Sequence, residues 1–99
     1  MNDIRIPTLG QFVKVLRGRD AGKYAVIIGV EDTRYVDIVD GDKRKFEQPK
    51  RKNLLHLELQ SAICSEVVRS LEESGQVTNS KLRYFISKHA QEQDAFIAD

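Results

Sequence analysis

Residues 10–30 read GQFVKVLRGRDAGKYAVIIGV, and this stretch decides the fold. Gln11 to Leu16 alternates with period two, setting Val13 and Val15 on one face and Phe12, Lys14 and Leu16 on the other, as a strand does. Gly18 to Gly22 turns the chain. Lys23 to Val30 is β-branched and almost continuously apolar, the pattern of a central strand of a small closed sheet. Gly29 within it marks a bulge or sharp bend.

Beyond this unit, Glu31-Asp32-Thr33 leads to a third strand, Arg34 to Val39, in which Tyr35, Asp37 and Val39 oppose Arg34, Val36 and Ile38. Asp40-Gly41 is a hairpin signal, because glycine accepts the positive φ of a type I′ turn, and predicts a short strand over Lys43 to Phe46 that Pro49 closes. Asn53 to Glu58 supplies the last strand, and about five short strands joined by tight turns make a small barrel. From Ser61 the period changes. Ile63, Val67, Val68 and Leu71 fall at helical spacing and Gly75 stands at a C-cap, which predicts a helix over Ser61 to Ser74. A second helix follows, with Thr78 or Asn79 as N-cap and Leu82, Phe85, Ile86 and His89 on one face, to about Gln93. Helices of this length are marginal alone in water. The expected chain is therefore α+β, with a five-stranded barrel over residues 1–58 and a two-helix hairpin over 59–99, docked on the barrel.

Ninety-nine residues, 40% hydrophobic and 31% charged, are too aliphatic for disorder and too few for a multidomain enzyme. MNDIRIPTLG at the start has no apolar run of signal-peptide length, and no segment nears the roughly 18 to 20 apolar residues of a membrane span, so a cytoplasmic protein without membrane contact is expected. Cys64 is the single cysteine and lies among apolar residues, which suits a buried, inert thiol. His56 and His89 are far apart and lack neighbours at ligand spacing, so neither metal nor cofactor is expected. Asp32, Asp37, Asp40 and Asp42 read as turn formers and solvated charges, and Ser61, Ser65 and Ser70 lack a nucleophile-elbow context. Gly18 to Lys23 is no phosphate-binding loop of the nucleotide-hydrolase kind. Three residues separate its glycines where four are needed, Tyr24 follows the lysine, and a strand comes next where a helix should. A non-enzymatic protein is expected.

The formal charge of +1 conceals a division. Residues 1–58 hold 12 Lys and Arg against 9 Asp and Glu, whereas residues 59–99 hold 4 against 6. Within the first part, Lys43-Arg44-Lys45-Phe46-Glu47-Gln48-Pro49-Lys50-Arg51-Lys52 carries six basic residues and one acid. Solubility needs charge of either sign, and so one-signed a segment suits phosphate neutralisation, with Arg44 and Arg51 able to bind phosphate bidentately and the lysines acting as point charges. The bland alternatives are a solvated loop or an edge strand protected by lysine.

Gly10-Gln11-Phe12-Val13-Lys14-Val15, followed by Gly18, Gly22 and Val26 to Val30, resembles the KOW motif, a strand–loop–strand unit that opens an SH3-like barrel. With the basic stretch, Asn53-Leu54-Leu55-His56-Leu57 and the tail Thr78-Asn79-Ser80-Lys81-Leu82-Arg83, the chain resembles bacterial KOW-domain RNA-binding proteins related to a large-subunit ribosomal protein of archaea and eukaryotes. Lys81 departs from that pattern where a glutamate would complete a capping box with Thr78.

The resemblance and the charge together imply a non-catalytic RNA-binding protein, ribosome-associated, with ribosomal RNA as the expected partner. Arg17, Arg19, Lys23, Lys43, Arg44, Lys45, Lys50, Arg51 and Lys52 are the candidate phosphate contacts. Gly22 lets the loop approach its partner, and Tyr24 is the candidate stacking residue. Tyr35 and Phe46 are weaker stacking candidates, while Phe12 and Phe46 read as core. The rival reading is a protein-interaction module contacting a ribosomal or transcription protein through the barrel or through the helices, with Phe96 and Ile97 near the chain end as apolar docking residues.

Overall fold

The computed structural model describes residues 6–98, and side-chain surroundings through residue 95. Five strands form one antiparallel sheet: β1 (Gln11–Val15), β2 (Tyr24–Val30), β3 (Tyr35–Val39), β4 (Lys50–Asn53) and β5 (Leu57–Ile63). Their order across the sheet is β4-β3-β2-β1-β5, so β4 and β5 are the two edges. A single 3-10 turn, Leu54–His56, links those edges, and four residue steps span at most about 14 Å. The edges therefore lie beside each other and the sheet rolls into an SH3-like barrel. Leu54 N–H donates to the Arg34 carbonyl and Leu16 N–H to the His56 carbonyl, both at 2.8 Å, which ties the turn across the opening.

Period-two alternation sorts the apolar residues into two cores. Val13, Val15, Ala25, Ile27, Val36, Ile38, Leu54 and Leu57 fill the barrel interior. Phe12, Val26 and Val39 point the other way and are covered by α1 (Ser65–Ser74) and α2 (Asn79–Ala98), through Val67, Leu71, Leu82, Phe85 and Ile86. The two-sided burial of β2 answers its nearly unbroken hydrophobic run. A register shift between Ile27 and Gly29 is the bulge expected there. Cys64 is buried in the helix-facing core, and burial pushes its thiol pKa up.

Three boundaries earlier in the chain differ from the sequence reading, and α2 runs to Ala98, past the Gln93 expected. No strand forms over Lys43 to Phe46. Asp40 Oδ1 accepts the N–H groups of Asp42 and Arg44 at 2.8 and 2.9 Å, and the Arg44 carbonyl accepts those of Asp40 and Gly41, so the chain curls into a wide loop and β4 starts only after Pro49. The last strand begins at Leu57, because the Asn53 side chain accepts the Leu55 N–H at 2.9 Å and caps the 3-10 turn. The first helix begins at Ser65, because β5 continues to Ile63. It ends as expected, with Gly75 N–H on the Leu71 carbonyl.

Thr78 caps α2, its hydroxyl accepting the Lys81 N–H at 3.2 Å. With lysine at that position only one half of a capping box is made. No helix among the described residues is long and apolar enough to cross a membrane.

Candidate nucleic-acid interface

The hairpin between β1 and β2 closes with Gly22 N–H on the Val15 carbonyl at 2.7 Å and Lys23 N–H on the Asp20 carbonyl at 3.0 Å. Gly22 holds φ +90°, and a Cβ there would meet nothing within 4 Å, so the loop needs glycine for its backbone and leaves the space beside it open. β4 reaches this loop from across the barrel opening. Its register pairs Lys50 with Ile38 and Lys52 with Val36, both interior-facing residues, and Arg51 with Asp37 on the outer face. Alternation thus splits the basic run.

Lys50 and Lys52 join Arg19 and Arg44 around a cleft of about 330 Å³ that Val15, Gly18, Asp20 and Ile38 complete. Four cations face one carboxylate. Lys52 Nζ donates to the Arg17 carbonyl at 3.3 Å and so bridges strand and glycine loop. Arg44 Nε lies 3.3 Å from Asp20 Oδ2, yet this buried N–H has no hydrogen-bond acceptor among the described residues, so the contact is one of charge only. A phosphate oxygen in the cleft would find lysine ammonium groups, guanidinium donors and low competition from protein acceptors.

The other expected contacts lie around this centre. Arg17 is exposed on the glycine loop, and Lys43 and Lys45 are exposed on the wide loop. Lys23 and Gly22 face a second groove of about 440 Å³ between the barrel and α2, where Lys14 and Arg83 add two further cations and Asp40, Asp42 and Asp94 balance the charge. Tyr24 also lines it, but only half exposed, its ring edge-on to His89 at 5.3 Å with Lys14 Nζ 5.7 Å from its centre. Phe12 is core, as expected, and Phe46 packs partly buried against the helix-facing cluster. Phe96 and Ile97 have side chains outside the described residues.

Arg51 stands apart. Its Nε donates to Glu31 Oε1 at 2.8 Å, and its guanidinium carbon lies 3.6 Å from the centre of the Tyr35 ring. The hydrogen bond from Arg51 holds the Glu31 carboxyl below its ordinary value, while burial, with the Glu31 carboxylate beside it, raises Asp37.

Sequence reasoning missed Asp20 and Glu31, the carboxylates that partner Arg44 and Arg51, because neither spacing nor composition pairs residues twenty or more positions apart. It also missed what the tail does. Asn79 Nδ2 donates to Glu47 Oε1 at 3.0 Å, Arg83 Nη1 donates to the Gly41 carbonyl at 2.8 Å, and Leu82 is fully buried beneath. Each characteristic residue of Thr78-Asn79-Ser80-Lys81-Leu82-Arg83 therefore caps α2 or seats it against the wide basic loop.

A family model of the KOW motif matches residues 9–40, which cover β1, the glycine loop, β2 and β3. The Bacillus subtilis protein described as "Putative ribosome-binding protein YbzG" is 37% identical over 71 residues, which cover 72% of this chain and 96% of that protein. The large ribosomal subunit protein eL14 of Pyrobaculum calidifontis is 28% identical over 88 residues, 81% of this chain and 85% of that protein. With the glycine-loop hairpin, the rolled sheet and this likeness in hand, the chain belongs to the bacterial KOW-motif proteins akin to YbzG, with a more distant relationship to ribosomal protein eL14.

Proposed function

We propose that this chain is a non-catalytic, ribosome-associated RNA-binding protein of the cytoplasm that holds RNA phosphates between its glycine loop and β4. The observation that carries the reading is the convergence of Arg19, Arg44, Lys50 and Lys52 on one cleft beside Gly18, from segments distant in sequence. A cleft with four cations and one carboxylate concentrates positive field where a backbone phosphate fits, whereas the groove beside α2 is balanced and attracts phosphate weakly. One relative is named for ribosome binding and the other is a ribosomal protein, which supports ribosomal RNA as the ligand. Arg17, Lys43 and Lys45, exposed around the cleft, extend the contact along the backbone.

Binding of the purified protein to ribosomal RNA and to a generic RNA hairpin at 50 and 200 mM salt tests this, beside a variant with Arg19, Arg44, Lys50 and Lys52 changed to glutamine. The native protein is expected to lose affinity steeply with salt, by about 0.7 to 0.9 in log K per log salt for each phosphate neutralised. The folded variant should lose both affinity and slope. Equal binding by the two proteins overturns the reading.

A second reading has one observation in its favour. Leu16 and Leu55 are 48% and 78% exposed at the same end of the barrel, where Leu16 N–H meets the His56 carbonyl. A partner protein docking there would bind with little salt dependence and without any contribution from the cleft.

A further inference from the structure

Arg51 is a basic residue that the phosphate cleft does not use, and its surroundings fit another ligand. Three carboxyl groups act on it: Glu31 at 2.8 Å, Asp37 opposite it in the β3/β4 register, and Asp32 in the adjoining turn. With Arg34 beside Asp32 as the other cation, the three carboxyls still outnumber the positive charges, and the cluster offers a phosphate no net attraction. What the guanidinium does offer is a plane. Its inner face stacks on Tyr35, its side chain is 56% exposed, and its terminal amino groups have no hydrogen-bond partner among the described residues.

The plane is held from several sides. Asp32 Oδ1 accepts the N–H groups of Arg34 and Tyr35 at 2.7 and 2.9 Å and fixes the turn that carries both Glu31 and Tyr35. The β2 bulge brings Gly29 against Asp37, where a Cβ would stand 2.9 Å from Asp37 Oδ2, so only glycine lets that carboxyl sit where it does. One hydrogen bond and one ring contact hold the guanidinium itself, and the Asp32 turn and the Gly29–Asp37 approach place the residues around it.

We propose that the Arg51–Tyr35 stack is a nucleobase platform, on which an unpaired base bearing an exocyclic amino group lies against the open face of the guanidinium. Guanidinium planes stack well on bases. The carboxyls that repel phosphate suit the amino donors of adenine, cytosine and guanine, and disfavour uracil, which presents carbonyl acceptors in their place. β4 is an edge strand, with Lys50 and Lys52 on one side and Arg51 on the other. An RNA strand crossing that edge leaves its phosphate in the cleft and turns its base onto the platform. This inference rests on the RNA-binding reading and adds to it a site that recognises bases.

Three RNA probes test it: a hairpin with a six-adenosine loop, the same stem with a six-uridine loop, and the blunt duplex. The native protein should favour the adenosine loop over the uridine loop and the duplex by about 5-fold or more, the lower end of what one base stack contributes. Arg51→Lys, which keeps the charge and loses the plane, should abolish that preference without changing the salt slope. Tyr35→Leu should do the same, and Tyr35→Phe should bind as the native protein does. Lys50→Gln with Lys52→Gln should weaken all three probes and flatten the salt slope. Native binding that ignores the loop sequence overturns the platform while leaving the phosphate cleft standing, and so does an Arg51→Lys variant that weakens all probes alike with a shallower slope. A native protein that binds none of the probes overturns both readings.

Discussion

Asn79 Oδ1 accepts the backbone N–H of Phe46 at 2.8 Å across 33 residues of sequence, so the first turn of α2 grips the wide basic loop by its main chain. The same side chain donates to Glu47, and one helical turn later Arg83 holds the Gly41 carbonyl. The loop that carries Lys43, Arg44 and Lys45 is shaped by the helix as much as by its own residues.

Asn79→Ala should therefore cost about 1 to 2 kcal/mol, the worth of two hydrogen bonds with one backbone donor left unpaired, read by urea denaturation. Limited trypsin digestion should then cut within residues 42–49 faster than in the native protein. Arg83→Ala should act in the same direction. Digestion at the native rate in both variants would separate the loop from the helix.

Gly41 and Gly22 both hold positive φ, yet they should respond differently to alanine. At Gly41 (φ +81°) a Cβ would lie 2.5 Å from the Asn79 carbonyl and 2.8 Å from the Leu82 Cβ, whereas at Gly22 (φ +90°) it would meet open space. Gly22→Ala should cost about 1 to 2 kcal/mol from backbone strain alone. Gly41→Ala should cost clearly more, because α2 must also move. Denaturation midpoints measured side by side decide this.

His89 is buried, stacked on Phe12 at 4.1 Å between centroids, with Nε2 3.3 Å from Gln60 Oε1. Burial lowers its pKa below the ordinary 6.5, outweighing the opposing pull of Glu92. A lowered folded-state pKa means that the unfolded chain binds the proton more readily. Stability is therefore full above about pH 6.5 and falls as the pH drops from there to the folded-state value. His89→Phe keeps an aromatic ring on Phe12 and removes the titration, so its stability should stay flatter between pH 7 and 5. An unchanged pH profile would remove His89 as the cause.

Asp20 is the carboxylate in the cleft, and Arg44 leans on it without a hydrogen bond. Asp20→Asn should strengthen RNA binding at low salt by about 0.5 to 1 kcal/mol, the scale of a partly exposed ion pair. It should also steepen the salt slope, because Arg44 then meets phosphate unopposed. Filter binding at two ionic strengths measures both, and weaker binding by the variant would mean that Asp20 serves to hold Arg44 in place.

What the sequence made legible follows from local periodicity. Val13 and Val15 alternate with Phe12 whatever surrounds them, and Gly75 ends a helix by its own conformational freedom. The β1–β2 hairpin, the bulge near Gly29 and both helix caps could be read for that reason. The strand misplaced onto Lys43 to Phe46 fails for the opposite reason. Asp40 competes with the ladder through its side chain, and Asn79 claims the Phe46 N–H from the far end of the chain. The division of Lys50, Arg51 and Lys52 between two sides of β4 needed the register, and the pairing of Arg51 with Glu31 needed the bulge that precedes Glu31.

The second core has a consequence for modularity. Phe12, Val26 and Val39 face away from the barrel interior and lie beneath α1 and α2, and β5 runs on to Ile63. A fragment cut after residue 58 would open three large apolar side chains to water and truncate an edge strand, an invitation to self-association. The glycine-loop barrel is thus no portable cassette. Barrel and tail are to be expressed and engineered as a single piece.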